Sequence, residues 1–200
     1  LRNRWFLDPL HGRGYPADTL TLLGSAAPRA EAGDFAAMAT PTDFLGINYY
    51  FPETVADAPG QGAIASRVVE REGVERTAFG WEVSPQGMVD LLVRVQREWN
   101  PGPVHLTENG STYDDVLLPD GRIEDLERRR YLARHLVAAR EAIAQGVPLK
   151  GYFAWSLLDN FEWAEGYARR FGLTYVDYAT QRRTLKASGQ WYARFLKGRA

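Results

Sequence analysis

Apolar residues recur along the chain with changing period, and each change marks a unit of structure. Residues 1–42 carry Pro9, Pro16, Pro28 and Pro41 among short apolar patches. They read as a helix tail, then loops, with one helical segment near Asp34 to Ala39 and no strand. Asp43 to Tyr50 is a mostly apolar run between turn residues, as expected of a strand covered on both faces. From Phe51 to Val83 no period is sustained, and an irregular connection of that length is usually functional. Ser84-Pro85 supplies an N-cap and a first-turn proline, and Met88, Leu91, Leu92, Val95 and Trp99 recur at helical spacing. The spacing predicts a helix over 85–99.

Pro101-Gly102-Pro103 ends that helix, and Val104 to Thr107 reads as a four-residue strand with Glu108-Asn109-Gly110 as the turn after it. A loop from Ser111 to Arg122 leads into a predicted helix over 124–145, capped by Gly146. Its apolar face is Leu132, Leu136, Ala139 and Ile143, with Arg128, Arg129, Arg134 and Arg140 mostly elsewhere. Arg128-Arg129-Arg130 opens it on a polar, solvated face. Leu149 to Trp155 is the third strand, followed by a long aromatic loop and a helix over 186–196. Strand and helix alternate three times, which predicts an α/β architecture with a parallel sheet. Three such units leave sheet edges open, so the chain reads as part of a larger barrel, a single partial domain over residues 1–200.

Charge and composition narrow the function. Lys and Arg number 24 against 25 Asp and Glu, and this balance speaks against a nucleic-acid partner. With no cysteine there is no disulfide, zinc-thiolate site or thiol nucleophile. His11, His105 and His135 are scattered, so no metal site and no cofactor is expected, and His105 reads as a core histidine. No apolar run approaches the roughly 20 residues of a membrane helix. Six Trp and ten Tyr exceed what a core of this size requires. Trp5, Trp99 and Trp191 fall where helix packing accounts for them.

In parallel α/β folds functional groups gather at the carboxyl ends of strands. Here those ends carry Asn48 and Tyr50, which share a face; Thr107, Glu108 and Asn109; and Trp155, Ser156, Asp159, Asn160, Glu162 and Trp163. Carboxylates, amides and aromatic rings on one rim suit a sugar, whose C–H faces pack on rings and whose hydroxyls need donors and acceptors. A phosphate ester would call for a Gly-rich cradle and basic groups, which the rim lacks. Glu108 is the first candidate for attack on an anomeric carbon, with Tyr50 favouring its charged form. A lone Glu-Asn-Gly triplet equally serves as an ordinary turn.

Read together, three segments resemble glycoside hydrolase family 1, the β-glucosidase family. They are Asp43-Phe44-Leu45-Gly46-Ile47-Asn48-Tyr49-Tyr50, Leu106-Thr107-Glu108-Asn109-Gly110, and the seventeen residues from Gly151 to Tyr167. Arg4 to Pro9 and Arg170-Phe171-Gly172-Leu173 are also similar to that family. The resemblance implies a (β/α)8 barrel and a retaining, double-displacement mechanism without a cofactor. It implies Glu108 as nucleophile, with Asn48 and Tyr50 orienting it, and Trp155 as the platform beneath the glycone. Glu162 would hold two adjacent sugar hydroxyls and Trp163 a third, Phe171 would form an aromatic wall, and Trp81 would lie near the aglycone. The expected partner is a β-glucoside or oligosaccharide, and the Phe-Glu-Trp at 161–163 speaks against a 6-phospho-glycoside.

One departure outweighs these matches. The family's acid/base is a Glu in an Asn-Glu-Pro triplet, and no such triplet occurs here. A retaining glycosidase needs two carboxyls about 5–5.5 Å apart. A complete barrel also takes about 250 residues. The chain is therefore expected to be the C-terminal portion of the barrel, about three βα units, and inactive by itself. It would then act with a complementary N-terminal half or as an oligomer, in the cytoplasm.

Overall fold

A computed structural model describes residues 3–61 and 64–198. In chain order the elements are α1 (Arg4–Leu10), α2 (Ala17–Leu23), α3 (Asp34–Met38), β1 (Leu45–Asn48), β2 (Val55–Asp57), β3 (Ser66–Val68), α4 (Pro85–Trp99), β4 (Val104–Asn109), α5 (Leu126–Ala144), β5 (Leu149–Ala154), β6 (Thr174–Val176), β7 (Arg183–Leu185) and α6 (Ala187–Leu196). β1, β4 and β5 form one parallel sheet in that order. Two antiparallel ribbons, β2 with β3 and β6 with β7, stand apart from it. The three strand-and-helix units expected from the periodicity are present.

The proline-rich opening holds more helix than its sequence suggests, because aromatic packing supports the short turns. Trp5 stacks on Tyr15 at 4.3 Å, and Tyr15 meets Phe35 edge-on at 5.2 Å. Asp8 of α1 accepts a 2.7 Å bond from the Trp99 indole, which ties this segment to the end of α4. The ribbons went unseen in the sequence for a simpler reason. Strands of three residues give too few positions to establish a period of two.

α4 begins as its sequence dictates. Ser84 accepts a bond from the Gly87 amide, Pro85 occupies the first turn, and Asn100 closes the helix in a left-handed conformation. Met88, Val89, Leu92 and Val95 are buried. The first three pack with Leu106 of β4 and with Ala138, Ala139 and Ala142 of α5 into one core. The buried stripe of α5 differs from the expected one. Ile143 is half exposed, whereas Arg128, Tyr131 and His135 point inward. Hydrogen bonds compensate Arg128 and Tyr131, as described below, whereas His135 is bonded at Nδ1 alone.

The opposite face of the sheet is bare. Val104 and Leu106 are buried under the helices, while the alternating His105 and Thr107 are only partly covered. His105 is partly covered and sits between Phe44 and Phe153, at 4.7 and 6.2 Å, and both rings are about half exposed.

Candidate active site

β4 runs two residues further than its sequence suggests, so Glu108 and Asn109 belong to the strand rather than to a turn after it. Asn109 is fully buried, and its carbonyl accepts the Trp155 amide at 2.9 Å. Gly110 then passes so close to the next strand's end that a Cβ would lie 2.0 Å from the Trp155 carbonyl oxygen. Only glycine allows that approach. Glu108 and Trp155 are thereby held side by side at the sheet's carboxyl rim.

On the other side of β4, the register shifts between Ile47 and Asn48, which brings Asn48 opposite Glu108. The Tyr49 amide donates to the Glu108 carbonyl at 2.9 Å, and the Tyr50 hydroxyl donates to Glu108 Oε2 at 2.8 Å. Burial, reinforced by the Glu108 hydrogen bond and charge, holds the Tyr50 phenol far above its ordinary value. Tyr50 therefore stays a proton donor to the carboxylate. Asn48 lies beside the pair, and its Oδ1 accepts a 2.7 Å bond from Thr107 rather than touching Glu108.

Trp155, Glu162, Trp163 and Phe171 come to the same rim. The Trp155 indole donates to Glu162. Burial raises the Glu162 carboxyl above its usual range, the Trp155 bond opposes the rise, and the nearby Glu108 charge adds to it. Trp163 stands 80 % exposed at the head of a 3-10 turn over 163–165. Phe171 is buried and meets the Tyr50 ring edge-on at 6.2 Å. Trp81 is not a free platform. Phe51 and Phe79 stack on it at 4.8 and 4.4 Å, with Tyr50 at 5.4 and Phe171 at 5.8 Å.

Beneath this rim lies a charge cluster that no sequence signal announced. Lys186, fully buried, bonds Asp159 at 2.9 Å and also Asp115. Arg128 bonds Asp115 at 2.9 Å, Asp125, and the carbonyls of Ser111 and Arg170. Arg170 in turn holds Asp159 at 2.7 Å. Arg128 is therefore interior, contrary to the solvated face expected of Arg128-Arg129-Arg130. Asp159 also accepts the Gly172 and Val176 amides, which fixes the segment carrying Phe171 against the loop carrying Glu162. The partners are 71 residues apart in the case of Asp115 and Lys186, so no local pattern reveals them.

Comparison with known proteins agrees with this geometry. The family model described as glycosyl hydrolase family 1 matches residues 1–200. The chain is 46% identical over 192 residues to "Beta-glucosidase A" of Thermotoga maritima, covering 96% of this chain and 43% of that protein. It is 40% identical over 198 residues to the "Beta-glucosidase" of an Agrobacterium species, covering 98% of this chain and 43% of the relative. Among solved structures, the family 1 β-glucosidase from Thermotoga maritima superposes with a TM-score of 0.92 at 45% identity, covering 98% of this chain and 44% of that one. The chain thus spans less than half the length of the relatives it matches, and its sheet and helices are the C-terminal part of a (β/α)8 barrel.

Proposed function

The chain belongs to glycosyl hydrolase family 1, and on that premise we propose that it carries the nucleophile and most of the glycone contacts of a retaining β-glucosidase. The observation that carries this reading is the 2.8 Å bond from the Tyr50 hydroxyl to Glu108, on the rim shared with Trp155 and Glu162. A neutral donor orients a carboxylate without tying it into an ion pair.

In the first step Glu108 attacks the anomeric carbon of a terminal β-glucoside. The bond from that carbon to the aglycone oxygen breaks, a bond to Glu108 forms, and the leaving oxygen takes a proton from the acid. Water then adds at the same carbon, gives its proton to the conjugate base, and releases Glu108. Glu162 and Trp163 bind glycone hydroxyls, Trp155 bounds the sugar, the buried Phe171 backs the Tyr50 ring, and Asn48 holds the neighbouring strand end in place. Trp81, packed among four rings, lends an edge to the aglycone side.

The acid comes from outside these 200 residues. The bare inner sheet face and its half-exposed Phe44 and Phe153 favour assembly with a complementary half-barrel, since three strands cannot close a barrel. A glucosyl donor with a fluoride leaving group and fluorine at C2 tests the reading, because fluoride leaves without acid help and the trapped sugar persists. Mixed with the amino-terminal half of the Thermotoga maritima relative, the chain should gain the mass of one 2-deoxy-2-fluoroglucosyl group on the peptide holding Glu108. No label, or a label that survives Glu108→Gln, refutes the proposal. The chain by itself should not hydrolyse an aryl β-glucoside.

A further inference from the structure

Behind Glu108 lies a group of buried hydroxyls and one amide with no place in the chemistry above. The β1–β4 ladder ends at the Tyr49 amide. Tyr50 follows it as a bend, yet its side chain must reach Glu108. Its carbonyl accepts a 3.1 Å bond from the Tyr131 hydroxyl, which projects from α5. Tyr131 is itself fixed, accepting 3.1 Å from Asn109 Nδ2 and stacking on His135 at 3.9 Å.

Asn109 uses every polar atom of its side chain. Nδ2 also donates to the Tyr49 carbonyl at 2.7 Å, and Oδ1 accepts the Tyr152 hydroxyl of β5. The amide can take only this orientation, because a flipped Oδ1 would face a carbonyl oxygen. One buried side chain thus joins the segment just after β1 to β4, β5 and α5 directly behind the carboxylate, where a lost partner is costly.

We propose that Asn109 and Tyr131 are positioning residues that clamp the Tyr49–Tyr50 backbone so that the Tyr50 hydroxyl stays on Glu108. The inference rests on Glu108 as nucleophile only for its catalytic consequence; the clamp itself is a matter of geometry. Tyr131 acts on Glu108 through Tyr50, and its phenol, raised by burial, remains a donor.

Tyr131→Phe is the test, since it keeps the ring on His135 and removes only the hydroxyl. In the 200-residue chain the Tyr50 hydroxyl proton, assigned by its loss in Tyr50→Phe, is expected as a downfield, exchange-protected resonance. Tyr131→Phe should move it upfield and open it to solvent exchange while near-ultraviolet dichroism stays unchanged. A folded variant that keeps the resonance and its protection overturns the proposal. Should Tyr131→Phe not fold, Asn109→Asp of the same shape sets an oxygen against the Tyr49 carbonyl; it should produce the same shift, and an unchanged signal again overturns the clamp. With the amino-terminal half supplied, Tyr131→Phe should slow labelling of Glu108 roughly tenfold to a hundredfold, the range expected for a lost hydrogen bond to a charged group. The donor concentration at half-saturation should change by less than about twofold, because only transition-state positioning is lost. Labelling at the wild-type rate overturns the clamp. Absence of labelling in the wild type instead counts against the proposed function, and the hydroxyl resonance still decides the clamp.

Discussion

Two groups of carboxylates sit within one end of this molecule and are treated in opposite ways. Asp115, Asp125 and Asp159 lie beneath the rim and meet three cations, Arg128, Lys186 and Arg170. Glu108 and Glu162 lie on the rim and meet neutral donors, the Tyr50 hydroxyl and the Trp155 indole. The first group is spent: three acids and three bases cancel, and their hydrogen bonds hold loops together. The second is oriented by hydrogen bonds without an ion pair among the described residues. What separates the two groups is the identity of the partner, not depth alone.

The sharpest way to break this comparison is to remove one cation from the buried group. Lys186→Met keeps the volume but breaks the pairs with Asp115 and Asp159, leaving the group one positive charge short while Arg128 still holds Asp115 and Arg170 still holds Asp159. Breaking such a pair is expected to cost about 3–5 kcal/mol, a large share of a domain's stability. Urea unfolding of the chain would measure it. A loss below about 1 kcal/mol would mean that the cluster behaves like surface ion pairs, and the contrast with the rim would fail.

His135 sharpens the same point from the interior. It is fully buried in α5, its Nδ1 bonds the Tyr131 carbonyl at 2.8 Å, and its Nε2 has no partner among the described residues. Burial lowers its pKa from 6.5 to about 4, with the Tyr131 carbonyl opposing and Arg134 adding to the shift. A value lowered on folding gives stability that is present above pH 6.5 and lost as pH falls toward 4. The loss across that window is expected to be about 3 kcal/mol. Denaturant titrations between pH 7 and 4 should show it, and His135→Phe should remove that component. A buried cation without a carboxylate partner thus stays neutral, whereas Lys186 is kept among acids.

These two examples also show what the sequence could and could not carry. α4, α5 and the three parallel strands were legible because each has enough positions to display its period, and the cap at Ser84-Pro85 fixed one boundary to the residue. The rim residues were legible because they cluster in contiguous segments at strand ends. Glu108 and Asn109 looked like a turn because Asn and Gly are turn formers. In the structure the Asn109 amide is spent on tertiary bonds, and the strand continues through it. Arg128 looked solvated because arginine usually is, and its acids lie at Asp115, upstream in a loop, and at Asp125, just before the helix. Pairings that span 27 or 71 residues, as Lys186 makes with Asp159 and Asp115, leave no period to read.

The rim supplies the smallest expected effect and the finest test of the comparison. Burial raises the Glu162 carboxyl, the Trp155 bond opposes this, and the Glu108 charge adds to it. A carboxyl raised on folding contributes stability that is full below its unfolded value, near 4.5, and lost as pH rises through the folded one. At neutral pH, then, the ionised Glu162 opposes folding slightly, chiefly because it is partly buried. Glu162→Gln should leave stability at pH 7 unchanged or higher by less than about 0.5 kcal/mol, since the group is partly exposed and solvent screens it. Near pH 4 the gain should vanish. Unfolding curves of the two proteins at pH 4 and pH 7 decide the sign. A clear loss of stability at pH 7 would show that Glu162 is held like the aspartates below it, and would move it from the rim group to the ion-paired one.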